Sequence, residues 1–361
     1  MWYRGLGTTV ATLAVAAGLA ACGGSDDNSS GGGGGQKSDT GSSQPKVAFS
    51  SFETSLPVGY PKPKPGKLRL AYLNPVGGNE FLHTMGEAMR RETKRLGGTY
   101  TELDAKGDVN TQVGQFEQLI AQKVDGIAAF PLDPRSVAPA VKKAKAAGIK
   151  IVTIDYDFKK NANLGGMDTQ VLQRRDEAAY LGAREMAKLA GKGATVGLID
   201  FAIKVPSIVE TIQRGTYWAK KFGLTVKGKA SNPSDDIAGG EKAMTQLLGK
   251  VPDLKGVIAY NDPSAIGAAS AARSQGKRGL FFGGQNGGSD ALEAIKAGRE
   301  SYTMKLDAPS MGVDFADALY DLKQGTKVPK SVKAGAPELV TKANVDSVKT
   351  WEQELGAIGG S

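Results

Sequence analysis

The chain has 361 residues, 40% of them hydrophobic and 23% charged. That is enough for two domains with buried cores, and it excludes collagen-like, wholly disordered and multi-span membrane chains. One cysteine and one histidine exclude an internal disulfide and metal sites built on several thiols or imidazoles. The formal charge of +9 comes from Lys and Arg scattered among Asp and Glu, a solvated surface with no nucleic-acid partner expected.

Residues 1–21 carry one charged residue, Arg4, and then run through small and apolar residues to Ala21. The run is too short to span a bilayer and reads as an export signal. It closes with Leu19-Ala20-Ala21-Cys22, which places the chain's one thiol, a nucleophile able to carry a thioether-linked lipid, at this position. The quartet resembles the lipobox of bacterial lipoproteins. The resemblance implies that Cys22 is the acylated N-terminus and anchors an extracytoplasmic protein to the cell membrane. Residues 22–66 then read as a tether: eight glycines fall in 23–46, and Pro57, Pro61, Pro63 and Pro65 extend the approach. Folding is expected from Lys67.

From there strands and helices alternate. Strands are expected at 68–73, 100–103, 126–130 and 151–154, with helices at 80–96, 109–123 and 134–147 between them. A long helix is expected over 171–190. The rhythm resumes with strands near 195–199, 224–228, 257–260, 280–283 and 302–306. Helices near 206–222, 237–248, 263–275, 290–297 and 309–322 follow them. Short apolar strands between amphipathic helices give parallel sheets covered on both faces. So many strands suit two sheets better than one. The fold class is α/β, with two doubly wound parallel-sheet lobes.

In such sheets ligands bind beyond the carboxyl ends of the strands. Polar and aromatic residues gather there: Asn79-Glu80-Phe81-Leu82, Asp155-Tyr156, Asn261-Asp262 and Gln285-Asn286-Gly287. With Arg214-Gly215-Thr216-Tyr217-Trp218 and Asp168-Thr169, their order and spacing resemble the ribose-binding-protein-like family, the sugar receptors of ABC importers. The resemblance covers about residues 67–345. It implies a three-segment hinge with a ligand cleft between the lobes, crossing near 168–170, 305–308 and 336–340. Lobe one would be 67–169 with 307–337, and lobe two 170–306 with 338–361. It also implies a monomer that hands its ligand to an ABC permease in the membrane. Tyr156 stands where the family usually has Arg, and Asn286 where many members have Asp, which argues against ribose itself.

The implied ligand-binding residues are Asn79, Phe81, Asp155, Tyr156, Arg214, Asn261 and Asn286. Carboxylate, guanidinium and carboxamide groups each engage two sugar hydroxyls, and rings cover the C–H faces. Charged groups make the stronger hydrogen bonds, so Asp155 and Arg214 would contribute most. Each residue also has a purely structural reading: Asn79 and Asn261 as helix caps, Arg214 as a surface helix residue, Asp155 and Asn286 as turn formers, Phe81 as core, Tyr156 as rim. No Gly-x-Gly-x-x-Gly loop, phosphate-binding lysine motif or Gly-x-Ser-x-Gly elbow is present, so no cofactor and no enzymatic activity are expected. The alternative is a receptor of the same fold that binds a non-sugar molecule and signals to a membrane sensor.

Overall fold

A computed structural model of the protein describes residues 56–155 and 166–358. Residues 1–21, Cys22 and Tyr156 lie outside the described residues. The first part of the chain runs β1 (Arg69–Asn74), α1 (Glu80–Arg95), β2 (Thr99–Asp104), α2 (Val109–Ala121), β3 (Gly126–Ala129), α3 (Pro134–Ala146), β4 (Lys150–Ile154) and β5 (Thr169–Leu172). The middle runs α4 (Arg175–Ala190), β6 (Thr195–Phe201), α5 (Pro206–Lys221), β7 (Thr225–Asn232), α6 (Ile237–Lys250), β8 (Gly256–Ala259), α7 (Asp262–Ser274), β9 (Phe281–Asn286), α8 (Ser289–Lys296) and β10 (Tyr302–Lys305). The last part is α9 (Ala308–Lys323), β11 (Ser331–Lys333), β12 (Glu338–Thr341) and α10 (Trp351–Gly356).

These strands form two six-stranded sheets, ordered β11-β5-β4-β3-β1-β2 and β12-β10-β9-β8-β6-β7. The first is parallel throughout, and in the second only β12 runs antiparallel, against β10. The order makes the crossovers that double winding requires, with helices on both faces. One core gathers Leu73, Phe116, Ile127 and Val141 around the first sheet, and another gathers Ile199, Met244, Leu247 and Phe282 around the second. A close helix crossing braces each lobe. A Cβ on Gly312 would fall 2.1 Å from the Met85 carbonyl oxygen of α1, and one on Gly267 2.1 Å from the Ile237 carbonyl oxygen of α6. Neither site has room for a side chain.

The structure departs from the sequence reading at three places. The expected helix over 171–190 is a strand followed by a helix. Thr169–Leu172 is buried and pairs with β4 and β11, and Arg174, at φ +55°, breaks the chain before α4 begins. A four-residue run, Thr-Gln-Val-Leu, is too short for periodicity to separate strand from helix. The chain therefore leaves the first sheet after Leu172, later than 168–170, crosses back between Lys305 and Ala308, and crosses again between Lys333 and Glu338.

The second departure is the tail. Residues 338–341 join the second sheet, but α10 sits on α1 and α9, beside the first sheet. The Trp351 and Phe81 rings lie 5.8 Å apart, and the Leu355 carbonyl accepts from Arg91 at 2.7 Å.

The third is the strap at 57–66, read from sequence as part of a tether. Its residues lie along the first lobe. Gly59 N donates to the Lys333 carbonyl at 3.1 Å, and Lys333 N to the Pro57 carbonyl at 2.9 Å. The buried Tyr60 hydroxyl donates to the Gln170 carbonyl at 2.9 Å and lies 2.7 Å from the Thr169 hydroxyl. Prolines suit such an outer segment because an edge needs few N–H donors, and the segment covers the open edge of β11.

Candidate functional site

The carboxyl ends of both sheets face one cavity of about 70 Å³ between the lobes. The first lobe contributes Asn79, Phe81 and Phe130. Gln173 and Arg175 come from the segment that crosses between lobes. The second lobe contributes Phe201, Asp235, Tyr260, Asn261, Gln285 and Asn286. Of the residues singled out in the sequence, Asn79, Phe81, Asn261 and Asn286 line this cavity together.

Asn79 and Asn261 do two things at once. Asn79 caps α1, its carbonyl oxygen accepting from Phe81 N at 3.0 Å and Leu82 N at 3.3 Å. Asn261 caps α7, accepting from Ser264 N at 3.0 Å. Capping uses only the oxygen, so both amide nitrogens are left to face the cavity. Both donate to Asp235, Asn79 at 3.0 Å and Asn261 at 2.8 Å, and the Tyr260 hydroxyl donates to it as well. The Asn79 bond joins one lobe to the other. A second bond does the same: both Glu80 carboxylate oxygens lie 3.0 Å from Ser289 N, at the start of α8.

Asp235 is held at φ +60° in the turn before α6, its N–H donating to the Asn232 side chain at 3.0 Å. Burial pushes its carboxyl up, the Tyr260 and Asn79 hydrogen bonds resist, and the neighbouring Asp236 charge pushes it further. The rings supply apolar walls. Phe201 and Tyr260 stack with centroids 5.7 Å apart, and Phe81 rests on Trp351. Asn286 sits at φ +121°, a strained backbone position at the end of β9, directly beside the cavity.

Two expected residues stand elsewhere. Asp155 does not line this cavity. It is buried behind Arg175, accepting Arg175 Nε at 2.7 Å and Gln173 N at 2.9 Å. Burial pushes the Asp155 carboxyl up, and the Arg175 guanidinium opposes that. Arg214 is on the outer side of α5, 39% exposed, 3.5 Å from Glu210 and 3.9 Å from Asp176. The helix turns it away from the cavity, so the arginine of the site is Arg175. Its guanidinium also donates to Thr211 and Gln173 and is almost wholly buried. Sequence reasoning missed it because residues 171–190 read as one helix, which hid the strand end that presents it. Asp235 was missed because it sits in a polar turn, Ser234-Asp235-Asp236, that reads as a helix start.

No helix among the described residues is long and apolar enough to cross a membrane, and no group of three or more His, Cys, Asp or Glu among them is arranged to hold a metal ion. A family model described as a periplasmic binding protein domain matches residues 70–327. A ribose import binding protein of Bacillus subtilis is 31% identical over 257 residues, spanning 71% of this chain and 82% of that protein. A xylitol-binding protein of Mycolicibacterium smegmatis is 30% identical over 254 residues, spanning 67% of this chain and 68% of that protein. An ABC transporter solute binding protein from Agrobacterium vitis, solved with bound D-fucose, superposes with a TM-score of 0.71 at 26% identity, over 80% of this chain and 99% of that one.

Proposed function

The chain belongs to the periplasmic binding protein family, and from that premise we propose that it captures a sugar or related polyol between its lobes and delivers it to an ABC permease. The family is one of solute-binding proteins, so the chain is a receptor and not an enzyme. The observation that carries the substrate reading is the cavity between the two sheets' carboxyl ends, walled by rings and lined with carboxamides and a carboxylate. Planar polar groups bind vicinal hydroxyls, and the rings cover the C–H faces of a sugar. The ligands named for the Bacillus, Mycolicibacterium and Agrobacterium proteins support the same class.

In this reading Asn79, Phe81, Arg175, Asp235, Asn261 and Asn286 bind the solute. Groups from both lobes touch it, so it favours the closed arrangement over the open one by its contacts to the second lobe. The Asn79–Asp235 and Glu80–Ser289 bonds form only when the lobes are together and add to that bias. The closed pair of lobes is what the permease recognises. Cys22 carries the lipid that keeps the monomeric receptor at the membrane.

The test is a thermal-shift screen of the full chain, refolded to strip carried-over solute, against monosaccharides, polyols, nucleosides and amino acids. A ligand at about 100 times its dissociation constant stabilises by about 2.7 kcal/mol. For a folded region of roughly 300 residues that is about 4 °C. A shift confined to sugars or polyols is the expected result. A shift with nucleosides or amino acids alone overturns the substrate class.

A further inference from the structure

The charge balance of the cavity narrows the ligand. Two charged side chains line it, Arg175 and Asp235. Arg175 is already neutralised by Asp155, 2.7 Å from its guanidinium. Asp235 has no counterpart. Its three donors, from Asn79, Asn261 and Tyr260, are all neutral, and among the described residues no lysine or arginine is paired with its carboxyl. A carboxylate offers about four acceptor positions. Three are filled, and the fourth is left for one donor from the ligand. A buried carboxylate is stable when that donor also brings a positive charge.

The surroundings repeat the sign. An adjoining cavity of about 380 Å³ shares Asn79, Phe81, Asp235 and Asn286 with the first. It adds Glu80, Asp236, Asp262 and Asp290, with no lysine or arginine among the described residues that line it. On a chain of net charge +9 this is a local reversal of the field. A cleft lined by one sign concentrates the opposite ion and speeds its arrival. The stacked Phe201 and Tyr260 rings and the Phe81 ring are also surfaces that attract a cation.

We propose that the solute is an amino-substituted sugar or polyol, its protonated amine meeting Asp235 while its hydroxyls meet Asn261, Gln285 and Asn286. This rests on the sugar-or-polyol reading above. A neutral hydroxyl would fill the fourth acceptor position but leave the charge uncompensated.

The refolded full chain is titrated calorimetrically at pH 7 with three matched pairs: D-glucosamine and D-glucose, D-galactosamine and D-galactose, 1-amino-1-deoxy-D-sorbitol and D-sorbitol. The amine of at least one pair should bind at least tenfold tighter than its neutral partner, a difference of about 1.4 kcal/mol. Asp235→Asn should abolish that preference: the amine should lose at least tenfold more affinity than its neutral partner does. Asn tolerates the left-handed backbone at this position, and a melting curve checks that the variant folds. Neutral members that bind as tightly as the amines overturn the inference and leave the receptor reading standing. An amine preference that survives Asp235→Asn overturns the role of Asp235. If no member of any pair binds while a nucleoside or amino acid does, the sugar-or-polyol reading falls with it.

Discussion

Asp155→Asn tests the buried ion pair at the first crossing between lobes. The Asp155 and Arg175 side chains are 5% and 6% exposed, and their charged atoms are 2.7 Å apart. The substitution keeps the shape and one acceptor oxygen but leaves the guanidinium buried with neutral partners, Thr211 and Gln173. Breaking a buried pair from one side costs about 3–5 kcal/mol. Over roughly 300 folded residues the unfolding entropy is about 0.6 kcal/mol per kelvin, so Tm should fall by about 5–8 °C. Replacing both residues by apolar ones of similar volume, Asp155→Leu with Arg175→Met, removes the stranded charge and should recover most of that loss. Melting both variants by circular dichroism and checking with urea unfolding decides the matter. An Asp155→Asn protein that melts within 1 °C or so of wild type would refute the reasoning, as would a double variant no more stable than the single one.

Arg214→Ala should leave solute affinity within about twofold and Tm within about 1 °C, because its pairs are partly exposed and weak; a tenfold loss in calorimetry would return it to the site. Asn79→Asp keeps the cap on α1 but sets a second carboxylate against Asp235. It should shift the unliganded protein towards an open form, visible as a larger radius in X-ray scattering; an unchanged radius would detach Asn79 from the contact between lobes. Asp314 tests the pH dependence. Burial pushes its carboxyl up to about 7, with Tyr60 N donating to it and Lys62 opposing. The folded value is above the unfolded one, so its contribution to stability is complete below about pH 4 and is lost as pH rises through about 7. That loss is on the order of 4 kcal/mol at pH 8. Asp314→Asn should therefore flatten the Tm profile between pH 4 and 8. A comparable slope should remain from Asp317, which burial and Glu92 push up to about 8, so the flattening is partial. An unaltered profile would mean that Asp314 is not the group that titrates.

The two-lobed architecture was legible because each lobe repeats one physical pattern. Apolar strands such as Gly126–Ala129 and Gly256–Ala259 are buried on both faces, and helices with polar caps separate them. Asn79 and Asn261 were legible for a related reason: a carboxamide just before a helix, in the short segment after an apolar strand, marks the strand's carboxyl-end side. What escaped is what depends on tertiary pairing. Thr169–Leu172 becomes a strand because β4 and β11 offer it partners on both sides, and β11 is itself distant in sequence. The strap at Tyr60 is ordered by Thr169, Gln170 and Lys333, not by anything in its own proline-rich composition.

The exchange of Arg214 for Arg175 follows from the same cause and changes how the site works. Arg214 would have reached the ligand from a helix face, free to adapt. Arg175 instead opens α4 three residues past the end of β5, with nearby Gln173 N tied to Asp155 at 2.9 Å. The arginine that lines the cavity is therefore part of the segment that crosses between the lobes. Its buried partner Asp155 follows β4 of the first sheet, while Thr211 belongs to α5 beside the second. One guanidinium thus bonds to both lobes at the crossing. Opening the cleft must either carry Arg175 away from Thr211 or move α5 with it. On the proposed reading, that ties the relative position of the lobes to polar groups lining the cavity, through residues 173–175 rather than through the outer wall of the cleft.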